Sequence, residues 1–248
     1  MILTSSQFSA PGDRANNDDC VETTQRQNAF CFSLCDGLGG HSGGALASRC
    51  VCDTMQNAFL SAEHSLPLAV CMEQAVMKSQ SALMALQAQH AAHDGMRTTL
   101  CSLMLSEHDA AAAFVGDSRI YQFRKGRFLA HTYDHSVAQR LVQIGEIQQE
   151  EVRRHEDRNF LLRCLGMPWE TPQLELWAQL SPPEEGDAFL LCSDGLWEWI
   201  DEAHMEQDLA TATTPKAWID AMCARLPAQS EPGALDNYSA IAVFVQQA

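Results

Sequence analysis

The spacing of apolar residues predicts an α+β chain whose sheets are antiparallel. Short apolar runs, Met96 to Leu105, Ala110 to Val115 and Ile120 to Phe123, follow one another across the turns Ser106-Glu107-His108-Asp109 and Gly116-Asp117-Ser118-Arg119, and Lys125-Gly126 turns the chain again. Parallel strands need long crossovers, so such short links imply an antiparallel meander. Ahead of them, Ala45 to Leu60 and Leu66 to about Ala92 repeat small and apolar residues at helical spacing with no internal glycine. That pattern predicts two long helices packed as a hairpin.

At 248 residues and 46% hydrophobic content the chain can bury a substantial core, and no Pro/Ser/Gly-rich linker divides it, so residues 1–248 are expected to form one domain. The opening MILTSSQFSAPGDR lacks the basic start and long apolar run of a secretory signal, and no later run is long enough to span a bilayer. A soluble, cytoplasmic protein is expected, without membrane insertion and monomeric. The formal charge of -16 opposes attraction to nucleic acid or an anionic membrane, so local cations would have to hold an anionic ligand. Of the ten cysteines, most lie inside apolar patterns and read as reduced core thiols. No matched Cys-x-x-Cys pairs suggest zinc.

Asn28 to Cys35 reads as a buried strand that ends in Asp36, followed by five glycines in the eight residues from Gly37 to Gly44. Glycines let the backbone take positive φ values and approach a ligand closely, and a free Gly37 carbonyl suits a hard cation. The stretch is either an active-site loop or a tight strand-to-helix connection. It is no dinucleotide cradle, because Ser42 stands where a third glycine is required, and no lysine follows as a phosphate loop needs. Upstream, Gly12 to Asp19 reads as a solvated turn or as part of a shared site, with Asp19 as ligand and Arg14 as a bidentate anion clamp.

Further along, His90 and His93 near a helix end are read as complementing its dipole rather than as a metal pair. Asp134-His135-Ser136 predicts a helix cap before Val137 to Ile144. The polar stretch Ile147 to Arg163 is expected to be a mobile surface element, a lid or a long connection. Order is expected to return with Leu174 to Leu180 and the strand Ala188 to Cys192, which ends in Ser193-Asp194-Gly195. Helical turns over Leu196 to Ile200 and Met205 to Leu209, a helix from Pro215 to about Leu226, and Asp236-Asn237 before a closing strand Tyr238 to Val245 complete the chain.

Asp19, Asp36, Asp194 and Asp236 all flank predicted strands, and a sheet sandwich could bring such termini to one edge. Gathered carboxylates repel unless cations neutralise them. Hard oxygen ligands suit Mg²⁺ or Mn²⁺, and the chemistry they imply is two-metal hydrolysis.

In order, Arg14-x-x-Asn17-Asp18-Asp19, Asp36-Gly37-Leu38-Gly39-Gly40-His41, Gly116-Asp117-Ser118-Arg119, Ser193-Asp194-Gly195 and Asp236-Asn237 resemble the signature set of the PP2C (PPM) family of metal-dependent serine/threonine phosphatases. Thr98-Thr99, Asp134-His135-Ser136 and the segment from Arg158-Asn159 to Leu165-Gly166 resemble bacterial members. The resemblance implies an α-β-β-α sandwich of two antiparallel sheets flanked by helix pairs, with two Mn²⁺ or Mg²⁺ ions at one end. By that analogy Asp36 bridges both ions, Gly37 offers its carbonyl to one, Asp194 and Asp236 bind the other, and Asp19 ligates with Asp18 behind it. Asp117 with Asp194 would hold a weaker third ion, Arg14 would grip the phosphate, and residues 145–168 would form a flap beside the site. The chain departs from eukaryotic members at Leu38, where they carry a histidine, which leaves metal-bound water or His41 to supply the leaving-group proton. Asp18 stands where many relatives have Glu.

The implied substrates are phosphorylated serine/threonine proteins, opposite a cognate kinase or its targets, with FHA-domain proteins among them. The compact form resembles stand-alone bacterial phosphatases encoded with type VI secretion or similar kinase systems. Two rivals stand beside this reading. Cys20 and Arg26 have the Cys-x5-Arg spacing of cysteine-dependent phosphatases, although no glycine intervenes and Glu22 would repel phosphate. A catalytically inactive metal-binding domain that recognises phosphoproteins is the other.

Overall fold

A computed structural model of the protein describes residues 2–38, 43–89, 95–107, 109–169, 171–172, 174–178, 180–230 and 233–246. In chain order it contains β1 (Ile2–Ala10), β2 (Cys20–Arg26), β3 (Ala29–Cys35), β4 (Gly37–Leu38), α1 (Gly43–Ser61), α2 (Leu68–Gln89), β5 (Arg97–Thr98), β6 (Leu100–Leu105), β7 (Ala110–Val115), β8 (Arg119–Arg124) and β9 (Arg127–His131). There follow α3 (Val137–Gln143), a 3₁₀ helix (Gln149–Arg154), β10 (Glu175–Leu176), β11 (Asp187–Cys192), α4 (Asp194–Trp197), α5 (Glu202–Thr211), α6 (Pro215–Gln229) and β12 (Tyr238–Gln246).

Two five-stranded antiparallel sheets, ordered β1-β12-β11-β8-β9 and β10-β7-β6-β3-β2, lie face to face, and β4 and β5 form a small ribbon at one end. Strand alternation divides their side chains between layers. Leu34, Leu191 and Ile241 point between the sheets with Phe32, Leu103 and Phe189. Their chain neighbours Cys35, Leu190 and Ala242 point outward: Cys35 packs under α1 and α2 with Val51, Met55 and Met72, and the other two pack under α6 with Trp218 and Met222. Strands apolar on both faces read as unbroken apolar runs, and each large side chain so buried contributes roughly 1.5–3 kcal/mol. The architecture is an α-β-β-α sandwich, in line with the expected class.

Three features go beyond what the sequence shows. The strands β1 and β2 were not foreseen, because ILTSSQFSA and CVETTQR are rich in Ser, Thr and Gln; both are edge strands with partly wet faces. Within Leu174 to Leu180, where order is expected to return, Glu175–Leu176 forms the short strand β10. The segment Ile147 to Arg163 is tied down: Arg153 pairs with Glu202 at 2.5 Å, Arg158 with Glu198 at 2.6 Å, and Leu161 bridges to Ser136.

Register decides what lies at the rim of the sandwich. Cys20 pairs with Cys35, so Asp19 and Asp36 leave their strands side by side. Cys192 pairs with Ala240 on one side and with Arg119 on the other, which brings Asp194, Asp236 and the Asp117 turn to the same rim. No described helix is long and apolar enough to cross a membrane.

Candidate metal centre

The rim encloses a cavity of about 370 Å³ lined by Arg14, Asp18, Asp36, Gly37, Asp117, Asn159, Leu161, Asp194 and Asp236 among others. Two larger clefts, of about 870 and 1010 Å³, flank α5. Charge, not size, distinguishes the smaller one.

Asp36 is fixed through its backbone. Its N–H donates to Thr99 Oγ1 at 2.9 Å, and its carbonyl accepts from Thr98 Oγ1 at 2.7 Å and from the Thr99 N–H at 2.9 Å. Its carboxyl is raised well above the usual carboxylate range by burial, and further by the charges of Asp19, Asp194, Asp117 and Asp236. The carboxyl of Asp194 is raised in the same way, by burial and then by Asp117 and Glu198. Burial pushes Asp19 up to about 6 and Asp117 up to about 7.

Asp19 Oδ2 accepts from Ser193 Oγ at 2.8 Å. Its other oxygen, Oδ1, is buried with no hydrogen-bond partner, and so is Asp194 Oδ1. Buried polar atoms are rarely left unpaired, and each such atom calls for an explanation. Two orphaned carboxylate oxygens among mutually repelling acids fit a divalent cation, and a donor set made only of oxygen fits Mg²⁺ or Mn²⁺. Among the described residues no group of three or more His, Cys, Asp or Glu side chains is gathered closely enough to hold a metal ion by itself. Cations of this class keep several waters, so carboxylates spaced around a cavity remain compatible with them.

A family model described as protein phosphatase 2C matches residues 10–238. The chain belongs to that family. The serine/threonine phosphatase stp of Listeria monocytogenes serotype 4b is 28% identical over 205 residues, covering 80% of this chain and 79% of that protein. The crystal structure of the Mycobacterium tuberculosis serine/threonine phosphatase PstP/Ppp superposes with a TM-score of 0.84 at 28% identity, over 100% of both chains. A structure of the PstP catalytic domain in complex with two manganese ions gives a TM-score of 0.82 at 28% identity over 99% of both chains.

Within this protein phosphatase 2C chain, the remaining candidates fall as follows. Arg14 Nη2 donates to Asp236 Oδ2 at 2.7 Å. Asp18 lines the cavity, its N–H donating to Asn237 Oδ1 at 2.8 Å. His41 lies outside the described residues, as do His90, His93 and the middle of the glycine loop, residues 39–42. Gly37 and Gly44 do not take positive φ. They are needed for close approach instead: a Cβ on Gly37 would stand 2.3 Å from the Gly44 carbonyl oxygen and 2.6 Å from that of Asp18. Cys20 and Arg26 sit at opposite ends of β2, about 20 Å apart at strand rise, so they form no phosphate loop.

The supporting residues were less visible in the sequence. Ser193 reaches Asp19, and Asn237 ties Asp18 to the carbonyls of Pro11 and Asn16 at 2.9 and 2.8 Å. Asn159 and Leu161 bring the 145–168 segment to the cavity wall. Their only advance signal was the family-like spacing around them.

Proposed function

We propose that the protein hydrolyses phosphoserine and phosphothreonine in proteins with two Mn²⁺ or Mg²⁺ ions held by Asp19, Asp36, the Gly37 carbonyl, Asp194 and Asp236. A third, weaker ion would lie between Asp117 and Asp194. The reading rests above all on the two orphaned oxygens, Asp19 Oδ1 and Asp194 Oδ1, in a rim of acids that raise one another's proton affinity. When bound, the ions would activate water for in-line attack on phosphorus at neutral pH and stabilise charge on the phosphoryl oxygens.

The chain's own residues supply the rest. Arg14, exposed at the cavity, presents a planar fork suited to two phosphoryl oxygens. Thr98 and Thr99 hold Asp36 by its backbone, so its carboxylate stays free for a cation. Ser193 occupies one oxygen of Asp19 and leaves the other. Asn159 and Leu161 line the cavity, which supports reading residues 145–168 as a flap beside a bound phosphopeptide. The physiological substrates in this reading are targets of a serine/threonine kinase, or the kinase itself, with FHA-domain proteins as one class, and the enzyme acts as a monomer.

The test is p-nitrophenyl phosphate and phosphopeptide hydrolysis with Mn²⁺, with Mg²⁺ and with excess EDTA, beside Asp36→Asn and Asp194→Asn. The expected result is activity that needs metal and is lost in both variants. Activity that survives EDTA would overturn the mechanism. Silence on both substrates with every metal would favour the inactive phosphoprotein-binding domain.

A further inference from the structure

The turn Gly116-Asp117-Ser118-Arg119 joins β7 to β8, and each of its residues is held from a different direction. The Gly116 N–H donates to His135 Nδ1 at 3.1 Å, and the Gly116 carbonyl accepts from the His135 N–H at 2.8 Å. The Asp117 carbonyl accepts the indole N–H of Trp197 at 2.9 Å. Ser118 Oγ shares a hydrogen bond of 2.7 Å with Thr99 Oγ1, the same hydroxyl that receives the Asp36 N–H. Arg119 is 2% exposed and pairs with both oxygens of Asp134 at 2.7 Å.

Trp197 closes α4, the single helical turn that Asp194 opens. Its ring is buried, and the Arg119 guanidinium carbon lies 3.4 Å from its centroid. On the 3₁₀ helix of the 145–168 segment, Arg153 lies 5.7 Å from the same centroid. A cation over an indole face draws electron density from the ring, which strengthens the N–H as a donor. The indole is therefore a strut with two ends. One is the helical turn that carries Asp194; the other is the backbone of Asp117.

We propose that Trp197 is a positioning residue whose indole N–H, steadied by the Arg119–Asp134 pair, holds Asp117 against the turn bearing Asp194 so that the two carboxylates converge on one divalent cation. The proposal rests on the metal-dependent reading above. Carboxylates driven together repel. A backbone restraint outside the cavity holds them close without using a carboxylate oxygen.

The test is Mn²⁺ titration of the full chain by calorimetry, with free Mn²⁺ followed by electron paramagnetic resonance, for Trp197→Phe in the parent and in an Asp117→Asn background. The parent is expected to bind a weaker ion beyond the tighter ones. Trp197→Phe should weaken that ion by about tenfold, equivalent to about 1.4 kcal/mol, leave the tighter ions unchanged, and have no further effect once Asp117 is Asn. Should Trp197→Phe fail to fold, 3-benzothienylalanine at position 197 keeps the ring volume, removes only the N–H, and should give the same selective loss. Equal weakening of all ions, an undiminished effect in the Asp117→Asn background, or an unchanged weaker ion would each overturn the proposal. So would a parent that binds only the tighter ions, which would leave the phosphatase reading standing. A parent that binds no Mn²⁺ would overturn both.

Discussion

Arg14 donates from Nη2 to Asp236 Oδ2 at 2.7 Å, and both side chains are well exposed, at 62% and 41%. Exposed ion pairs contribute about 0–1 kcal/mol, so stability does not account for an arginine here. Arg14 is the cation among the described residues lining an otherwise acidic cavity. Arg14→Ala should melt within about 2 °C of the parent, since about 1 kcal/mol corresponds to only a few degrees in a chain of this size. Its kcat/KM for a phosphopeptide should fall about 10- to 100-fold, mainly through KM, with Arg14→Lys intermediate because it keeps the charge but not the fork. A matching fall in melting temperature would make the role structural.

The acids of the rim set a pH dependence whose sign can be worked out. Asp19 is raised to about 6 and Asp117 to about 7, from 3.8 in each case, with burial the leading cause. A carboxyl that holds its proton more tightly when folded favours folding below about pH 4, and that contribution is lost as the pH rises through 6 and 7. Cations compete with those protons. The rise in melting temperature produced by Mn²⁺ should therefore be larger at pH 8 than at pH 5.5. Asp36→Asn removes the charge that its neighbours oppose most directly, so in the absence of metal it should melt above the parent at pH 8 while losing most of the Mn²⁺-induced rise. Equal rises at the two pH values, or a less stable metal-free Asp36→Asn, would contradict this account.

Sequence alone showed the strands that are apolar on both faces, such as β3, β6 and β11, because a buried strand needs nothing beyond its own residues to reveal itself. It did not show β1, whose pairing runs from Ile2 opposite Gln246 to Ala10 opposite Tyr238, a relationship no local pattern contains. The aspartates were visible as strand-end residues, yet their convergence depends on pairings such as Cys20 with Cys35 and Cys192 with Arg119. Trp197 looked like one more apolar helix residue; only the folded chain shows its N–H on Asp117. The charges of Ile147 to Arg163 suggested solvent, but Arg153 and Arg158 find their partners in Glu202 and Glu198, more than forty residues along the sequence from the one and forty from the other.

The thiols give a separate expectation. Cys20 is buried under α1, and its proton is held by hydrogen bonding with Cys52 and by burial, which push its pKa far up. Burial likewise raises Cys35, Cys52, Cys101 and Cys192. Thiolate is the reactive form, so these groups should be inert. Iodoacetamide under native conditions should leave activity within about twofold, and Cys20→Ala should remain active, since a small buried truncation costs stability rather than chemistry. Stoichiometric inactivation on alkylation of Cys20 would restore the thiol mechanism.

Two adjacent glycines at the start of α1 should respond oppositely to the same substitution. A Cβ on Gly44 would lie 2.7 Å from the Gly37 carbonyl oxygen and 2.8 Å from Asp18 Oδ2, so the methyl must push apart the chain ends that bring Asp18 and Gly37 to the cavity. Among the described residues a Cβ on Gly43 would meet Met96, its side chain at 3.3 Å and its Cα at 4.0 Å, and a methionine side chain can yield. Gly44→Ala should therefore destabilise by about 1–3 kcal/mol, as overpacking does, and weaken Mn²⁺ binding. Gly43→Ala should be neutral or gain up to about 1 kcal/mol from helix propensity. Melting curves with and without Mn²⁺ separate the two effects. If Gly44→Ala kept the full Mn²⁺-induced shift, the close packing of Gly37, Gly44 and Asp18 would be a matter of chain connection alone and not of the site's geometry.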